Sequence, residues 1–445
     1  MYWSRYNKTF RAGDGVVLYN TLSGAIDIVE GDISPSVPME LESYLSQRGY
    51  LFADTAAEER ELDRLSAAYS RYKDEVRPLI FHLVLTYLCN LDCRYCFQAP
   101  VKDRTASMKM EDLDGVFGAI AEIRRLFPGT KTKPVVALFG GEPLMRKHVE
   151  VVACILERTA LAGYLNGPVI SNGVDLDAFL PDFERRRPSG IQITLDGLRG
   201  THDRRRPQAG GKGTFDRIVA HVQQALDLRI KIGIRTNVDQ ENVDELPALA
   251  RFLEERGWVG HEKVELTLCP IHHRACGSFD QSGTHDRLLA AVLSLMARHP
   301  LLRNWHLDGW TVVDHFRRLL DEAKPLAPRF EHCEAAVGKS FHLDAYGMLY
   351  TCIEACGIPE LAAGRFRPKL EFFPFYETLK GRNIMNMAAC RPCPYALICG
   401  GGCALQSWYD HGSLAAPHCG GSAQAVEQYV AFRFGNGRKG AHAAG

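Results

Sequence analysis

Three cysteines share eight positions in the stretch "CNLDCRYCF": Cys89, Cys93 and Cys96. Thiolates at such spacings act as metal ligands. Structural zinc and ordinary iron–sulfur sites take four of them from protein. Three thiolates on a 4Fe–4S cube leave one iron open, so that the cluster can chelate a substrate and hand it an electron directly. Chance alone would give this spacing only about 0.014 times in a chain with this cysteine content. A second field lies far downstream: Cys333 and Cys352, then Cys390-x2-Cys393-x5-Cys399-x3-Cys403, then Cys419, with Cys356 four residues past Cys352. Of the 14 cysteines, only Cys154, Cys269 and Cys276 fall outside the two fields.

The elements that must position these residues follow a clear rhythm from about residue 79. "LIFHLVLTY", "VVALFG", "GPVISNG", "GIQITLDG", "KIGIRTNV" and "KVELTLC" are short apolar, β-branched runs separated by helical patterns. Alternation of this kind predicts βα units around a parallel sheet covered on both faces. Six units are too few for a closed eight-stranded barrel, so the expected fold class is α/β, a partial (β/α)6 barrel. Chemistry in such sheets sits beyond the strand C-termini, and the cysteine loop, "GGEP", "SNG" and "DG" all follow strands. Residues 1–75 read as a small N-terminal α+β unit, with strands "VVLY" and "AIDIV" around the turn "NTLSG" and a charged helix after them. Residues 76–325 hold the barrel, 326–435 a loop-rich region rich in Cys, Gly and Pro, and 436–445 a flexible tail.

Composition excludes several classes. The 445 residues are 46% hydrophobic and 24% charged, with 53 basic and 53 acidic side chains. No basic field argues for nucleic acid, and no run reaches the length of a membrane span. The start lacks the apolar core of a signal peptide, so a cytoplasmic protein is expected. Disulfides rarely persist there, which turns the clustered cysteines toward metal.

With its aromatic Phe97, the CxxxCxxC loop resembles the signature of radical S-adenosylmethionine (radical SAM) enzymes, over about residues 79–270. In that family the open iron chelates S-adenosylmethionine, and the reduced cluster cleaves it to a 5′-deoxyadenosyl radical that abstracts hydrogen from a substrate. The resemblance implies that Gly140, Gly141 and Glu142 of "FGGEP" hold the methionine amino group, and that Ser171 and Asn172 of "ISNG" contact the ribose and carboxylate. Asp196 of "ITLDG" belongs to the same cofactor rim, as does "IRTNV" (234–238). A zinc site with a distant fourth ligand explains none of these loops. "AGGKG" (209–213) lacks the Lys-Ser/Thr of a phosphate loop and reads as a plain loop.

The second field resembles the SPASM extension of peptide-modifying radical enzymes, which carries two auxiliary iron–sulfur clusters. Carried over by position, Cys390, Cys393, Cys399 and Cys419 form one four-thiolate site, while Cys333, Cys352 and Cys403 bind the other. Cys356 completes the second; alternatively an iron is left open for a substrate thiol, or Cys356 is merely a small buried residue. A zinc ribbon is the alternative for Cys390–Cys403. Cys154 lies in a helical pattern and reads as core. Cys269 and Cys276 sit at the rim beside the loop pair His272–His273.

Auxiliary clusters give an abstracted-hydrogen radical somewhere to lose its second electron. The expected chemistry is therefore oxidation of a ribosomally made precursor peptide, by crosslinking or at a side-chain Cβ, with an external reductant of flavodoxin or ferredoxin type. Anaerobic sulfatase maturases share the architecture but carry an aspartate base directly after the cysteine matching Cys352. Here Ile353 stands there and Glu354 follows, the remaining candidate base. The N-terminal unit loosely resembles leader-binding domains, which capture a precursor's leader as an added strand. From another class, a multi-cluster electron-transfer protein fits the cysteines, as does a zinc-stapled scaffold.

Overall fold

The computed structural model describes residues 1–12, 15–30, 39–101, 103–271, 284–322, 324, 327–419 and 421–435. Cys276, the pair His272–His273 and the tail from 436 lie outside the described residues. The N-terminal unit has strands β1 (Tyr2–Trp3), β2 (Asn7–Ala12), β3 (Gly15–Asn20), β4 (Ile26–Glu30) and β5 (Leu51–Phe52). β2, β3 and β4 form an antiparallel sheet in that order, and β1 pairs with β5. The expected hairpin is β3–β4. Its turn is held by Asn20, whose Oδ1 accepts from Leu22 N and Ser23 N at 2.9 and 2.7 Å.

Helix Thr55–Glu75 follows, capped by Asp54, whose carboxylate accepts from Ala57 N. At its far end the Lys339 ammonium donates to the carbonyls of Asp74 and Arg77. That is a cation on the negative end of a helix dipole. On the way the helix buries Glu58, which accepts from Ser4 Oγ at 2.6 Å, and Lys73 pairs with Glu331. The connector thus ties the first residues to the C-terminal region.

All six expected strands are present: β6 (Ile80–Val84), β7 (Val135–Phe139), β8 (Leu165–Ser171), β9 (Ile191–Thr194), β10 (Ile232–Val238) and β11 (Val264–Pro270). Consecutive strands pair in parallel. The sheet runs one strand further on each side than the sequence suggested. β12 (Trp305–Leu307) adds beside β11, and β13 (Ser340–Asp344) adds in parallel beside β6. Three residues of β12 are too short to show a period, and β13 lies inside the stretch whose Pro and Cys content masked it. Antiparallel β14 (Met348–Tyr350), β15 (Gly364–Arg365) and β16 (Glu371–Phe372) complete eleven strands in an open sheet, not a closed barrel.

Alternation assigns the two faces. Phe81, Leu83, Val136, Leu138, Ile191, Ile193, Ile232 and Ile234 enter the main core, beneath helices such as Leu113–Arg125 and Phe215–Asp227. Each such side chain contributes about 1.5–3 kcal/mol. The opposite face is mixed, with Val84 and Phe139 in a second apolar cluster. It carries Arg235 and Asn237, and His82 stacked on His342 with ring centroids 4.3 Å apart. Phe10, Val17 and Tyr19 of the N-terminal sheet share the main core, and Tyr19 Oη meets His315 Nε2 at 2.8 Å. No helix among the described residues is long and apolar enough to cross a membrane.

Burial holds His82, His202 and His315 at pKa values of about 4, 3 and 4. They stay neutral in the fold while the unfolded chain binds protons below about pH 6.5, so acidification favours unfolding. Glu142, raised to about 7 by burial, opposes this by one proton. The urea midpoint is expected to fall between pH 7.5 and 5.5, with each of the three histidines adding about 1.4 kcal/mol per pH unit below 6.5. A midpoint unchanged or higher at pH 5.5 would contradict this account.

Candidate active site

The loop carrying Cys89, Cys93 and Cys96 leaves the C-terminal end of β6 and is gripped by its neighbours. Gly141 N donates to Thr86 O at 2.7 Å and Glu142 N to Leu88 O at 2.9 Å. This close approach explains the two glycines. A Cβ on Gly141 would lie 2.2 Å from Leu88 O, and one on Gly140, which also has φ +147°, 2.4 Å from Thr86 O. The segment 205–212 closes the other flank, with Asp92 N on Pro207 O and Arg94 N on Arg205 O. "AGGKG" is thus a turn packed across the cysteine loop, with Ala209 N on Asn90 O.

Glu142 is 1% exposed and knots three loops. Its Oε1 accepts from Leu144 N at 2.7 Å and Ser171 Oγ at 2.8 Å, while Oε2 accepts from Asn172 N at 2.6 Å. These three donors oppose the burial that raises its pKa. Ser171 Oγ in turn accepts from Gly173 N. The carboxylate and the serine hydroxyl are therefore committed to each other and to backbone. Asn172 points at the cysteines: its Nδ2 donates to Asn90 Oδ1 at 2.7 Å and lies 3.7 Å from Cys89 Sγ. Burial pushes the Cys89 thiol up to about 12, with Glu142, Cys93 and Cys96 adding to it. Phe97, 36% exposed, stacks on Phe139 of β7.

The sequence reading missed Tyr95, which stands inside the cysteine loop between Cys93 and Cys96. Its buried hydroxyl donates to Asp196 Oδ2 and accepts from Arg206 Nη1 (2.6 Å) and Asn237 Nδ2 (3.1 Å). Asp196 Oδ1 accepts from Asn237 N. Asp196 thus pins the cysteine loop to β9 and β10, and Arg206 sets a buried cation beside Cys93. Tyr95 was visible as an aromatic inside the motif. Arg206 gave no signal.

The C-terminal cysteines sort into two electrostatic neighbourhoods. Cys390 and Cys399 feel Cys393 and Cys419, whereas Cys352 and Cys403 share Cys333 and Glu354. Cys356 donates to Cys352 O at 3.4 Å and belongs to the apolar cluster of Tyr87 and Tyr350, against which Cys352 and Cys403 also pack. Glu354 also bears on Cys269, at the end of β11, where Arg235 Nη2 meets Cys269 Sγ at 2.6 Å. Cys154 lies within helix Val149–Leu161 against the core, as expected.

Residues 83–253 match the radical SAM superfamily model. These residues form a radical SAM domain. Fe-coproporphyrin III synthase of Methanosarcina barkeri is 26% identical over 197 residues, 44% of this chain and 46% of that protein, so the match spans about half the relative's length. Among solved structures, anSMEcpe with AdoMet and the Cp18Cys peptide bound has TM-score 0.60 at 14% identity, covering 81% of this chain and 97% of that one. Streptococcus suis SuiB bound to its precursor peptide SuiA has TM-score 0.54 at 14% identity, covering 94% and 98%. At such identities the likeness shows the fold alone: an open, parallel-rich α/β sheet like the partial barrel of radical SAM enzymes.

Membership implies a 4Fe–4S cluster and S-adenosylmethionine, and the radical SAM rim fits them: three thiols on one gripped loop, with an asparagine amide aimed at the first. Glu142→Gln replaces an acceptor oxygen by an NH2 group and strands one buried donor. The expected loss is about 1–3 kcal/mol in urea unfolding, together with reduced cleavage of S-adenosylmethionine. Unchanged stability would mean that Glu142 does not knot the loops.

Proposed function

We propose that this radical SAM enzyme oxidises a ribosomally made precursor peptide, forming a crosslink or oxidising a side-chain Cβ, with three iron–sulfur clusters. The carrying observation is that the C-terminal cysteines fall into two electrostatic neighbourhoods, with Cys352 and Cys403 packed against Val84 and Phe139 near the rim that carries Cys89, Cys93 and Cys96. Cys89, Cys93 and Cys96 hold the first cluster. Cys390, Cys393, Cys399 and Cys419 hold a complete second one. Cys333, Cys352 and Cys403 hold the third, with Cys356 one short turn away as its candidate fourth ligand.

Bound S-adenosylmethionine and a reduced cluster supply the hydrogen-abstracting 5′-deoxyadenosyl radical. This chain's residues do the rest. Asn172 and the backbone of Gly140 and Gly141 line the cofactor's end of the rim, with Phe97 beside them, while Glu142, Ser171 and Asp196 fix the loops that carry those contacts. Glu354, whose charge bears on both Cys352 and Cys269, would take up the proton released as the substrate radical is oxidised. An external one-electron reductant of flavodoxin or ferredoxin type supplies electrons. A formylglycine-forming reaction is the competing reading, and Ile353 in place of the maturases' aspartate counts against it.

Capture of a leader segment finds support in the N-terminal sheet. β2 is covered by helix Ser422–Gly435, but β4 is an edge with Ile28 62% exposed. Beside it a cavity of about 520 Å³ is lined by residues including Ser23, Ile26, Arg48 and Phe52. A leader strand added there would gain main-chain hydrogen bonds plus a side-chain pocket.

The test is co-expression with a precursor peptide encoded beside this gene. Anaerobically purified protein is expected to hold about twelve iron atoms, three 4Fe–4S cubes, to make 5′-deoxyadenosine with reductant, and to remove two hydrogens from the peptide. Unchanged peptide mass with deuterium uptake would indicate epimerisation and overturn the oxidation proposal. Protein with iron but no 5′-deoxyadenosine would be an electron carrier.

A further inference from the structure

The two C-terminal cysteine groups share one buried cation. Arg382 is 3% exposed and spends four of its five N–H groups on backbone carbonyls. Nε donates to Leu414 O (2.7 Å), Nη1 to Gly402 O (2.6 Å), and Nη2 to Gly401 O (2.8 Å) and Ala416 O (3.0 Å). Gly401 and Gly402 separate Cys399 from Cys403, which fall in different groups, and the segment 414–416 leads into Cys419. One side chain therefore fixes the backbone that wraps both groups.

Those glycines leave little alternative. Gly400, Gly401 and Gly402 have φ of +67°, +84° and +73°, and a Cβ on Gly402 would lie 1.7 Å from His418 O. In this left-handed run the carbonyls of Gly401 and Gly402 both turn to the Arg382 guanidinium, a planar multi-donor group able to gather them.

A guanidinium stays charged, and a buried charge without a counter-ion is costly. Among the described residues no carboxylate pairs with Arg382. Burial lowers its pKa, and the groups acting against that are the thiols of Cys403, Cys333, Cys390 and Cys399, two from each group. The compensating anions are therefore the sulfur ligands themselves.

We propose that Arg382 is a shared positioning residue and counter-charge for both auxiliary iron–sulfur sites, holding their wrapping loops in one register and raising both reduction potentials together. The inference rests on reading the two groups as cluster sites. A fixed cation favours the reduced cluster, which carries one more negative charge.

Potentiometric EPR on the anaerobic holoenzyme tests this, with the Cys89–Cys93–Cys96 cluster as internal control. Arg382→Lys keeps the charge with fewer donors, and Arg382→Gln keeps a donor without the charge. In the Gln variant the reduced-to-oxidised ratio of both auxiliary clusters is expected to fall roughly tenfold at fixed potential, 59 mV for one electron. The Lys variant should move much less, and the control not at all. Joint loss of both auxiliary clusters, with the control retained, also supports the shared clamp. A change at one site only, wild-type potentials at both, or loss of all three clusters overturns it. Wild-type protein holding only the first cluster would instead sink the cluster reading itself.

Discussion

The site depends on one contact between two backbones. Where the glycine loop after β7 crosses the entry to the cysteine loop, Gly141 N and Glu142 N bond to Thr86 O and Leu88 O, with no room for any Cβ. That contact carries Glu142 into the interior, where its carboxylate draws in Leu144, Ser171 and Asn172. Three successive strands of a parallel sheet are thereby locked at their C-terminal ends. The thiol-bearing loop inherits its position from this lock, since a nine-residue loop with three cysteines has little structure of its own to hold it. Tyr95 and Asp196 repeat the device on the other flank.

The same logic operates in the C-terminal region with different chemistry. There the backbone is wound around cysteines instead of laid across strands, and the left-handed run at Gly400–Gly402 makes the tight turn. Gly400 abuts Glu331 and His332, and His332 Nδ1 meets Cys399 O at 2.9 Å. The neighbour of Cys333 thus holds the carbonyl of a cysteine from the other group. Neither group can be moved without disturbing the other. The N-terminal unit is joined to this assembly as well, through Tyr6 Oη on Arg391 O and Thr21 Oγ1 on Pro394 O.

Much of this was legible because its signals are local. The 4-then-3 cysteine spacing, the six apolar runs, the "NTLSG" hairpin and the helix that ends at Glu75 all depend on neighbours in sequence. What escaped depends on distant partners. Tyr95 meets Asp196 across 101 residues and Arg206 across 111, and no periodicity encodes such a meeting. β13 (Ser340–Asp344) does alternate polar and apolar residues, but its five positions sit in a loop-rich, Cys- and Pro-containing stretch that hid the signal. Glu142 was recognised as a site residue. Its commitment to Ser171 and Asn172 follows from packing that a motif does not specify.

Two buried guanidiniums connect the fold to the chemistry it is built for. Arg206 donates to Tyr95 beside Cys93, with its Nε unpartnered, and Arg382 is enclosed by carbonyls among four thiols. An uncompensated interior cation costs several kcal/mol, and neutral thiols do little to offset it. Arg206 already has the Asp196 carboxylate close by, through Tyr95, whereas on the proposed cluster reading it is Arg382 that would gain its counter-charge when the cysteines are deprotonated on cluster assembly. On that proposed reading, folding of the loop-rich region and loading of its iron would be one coupled event. Hydrophobic burial builds the open barrel and protein contacts hold the first cysteine loop, whereas on the proposed reading the charge around Arg382 would be balanced only with metal in place.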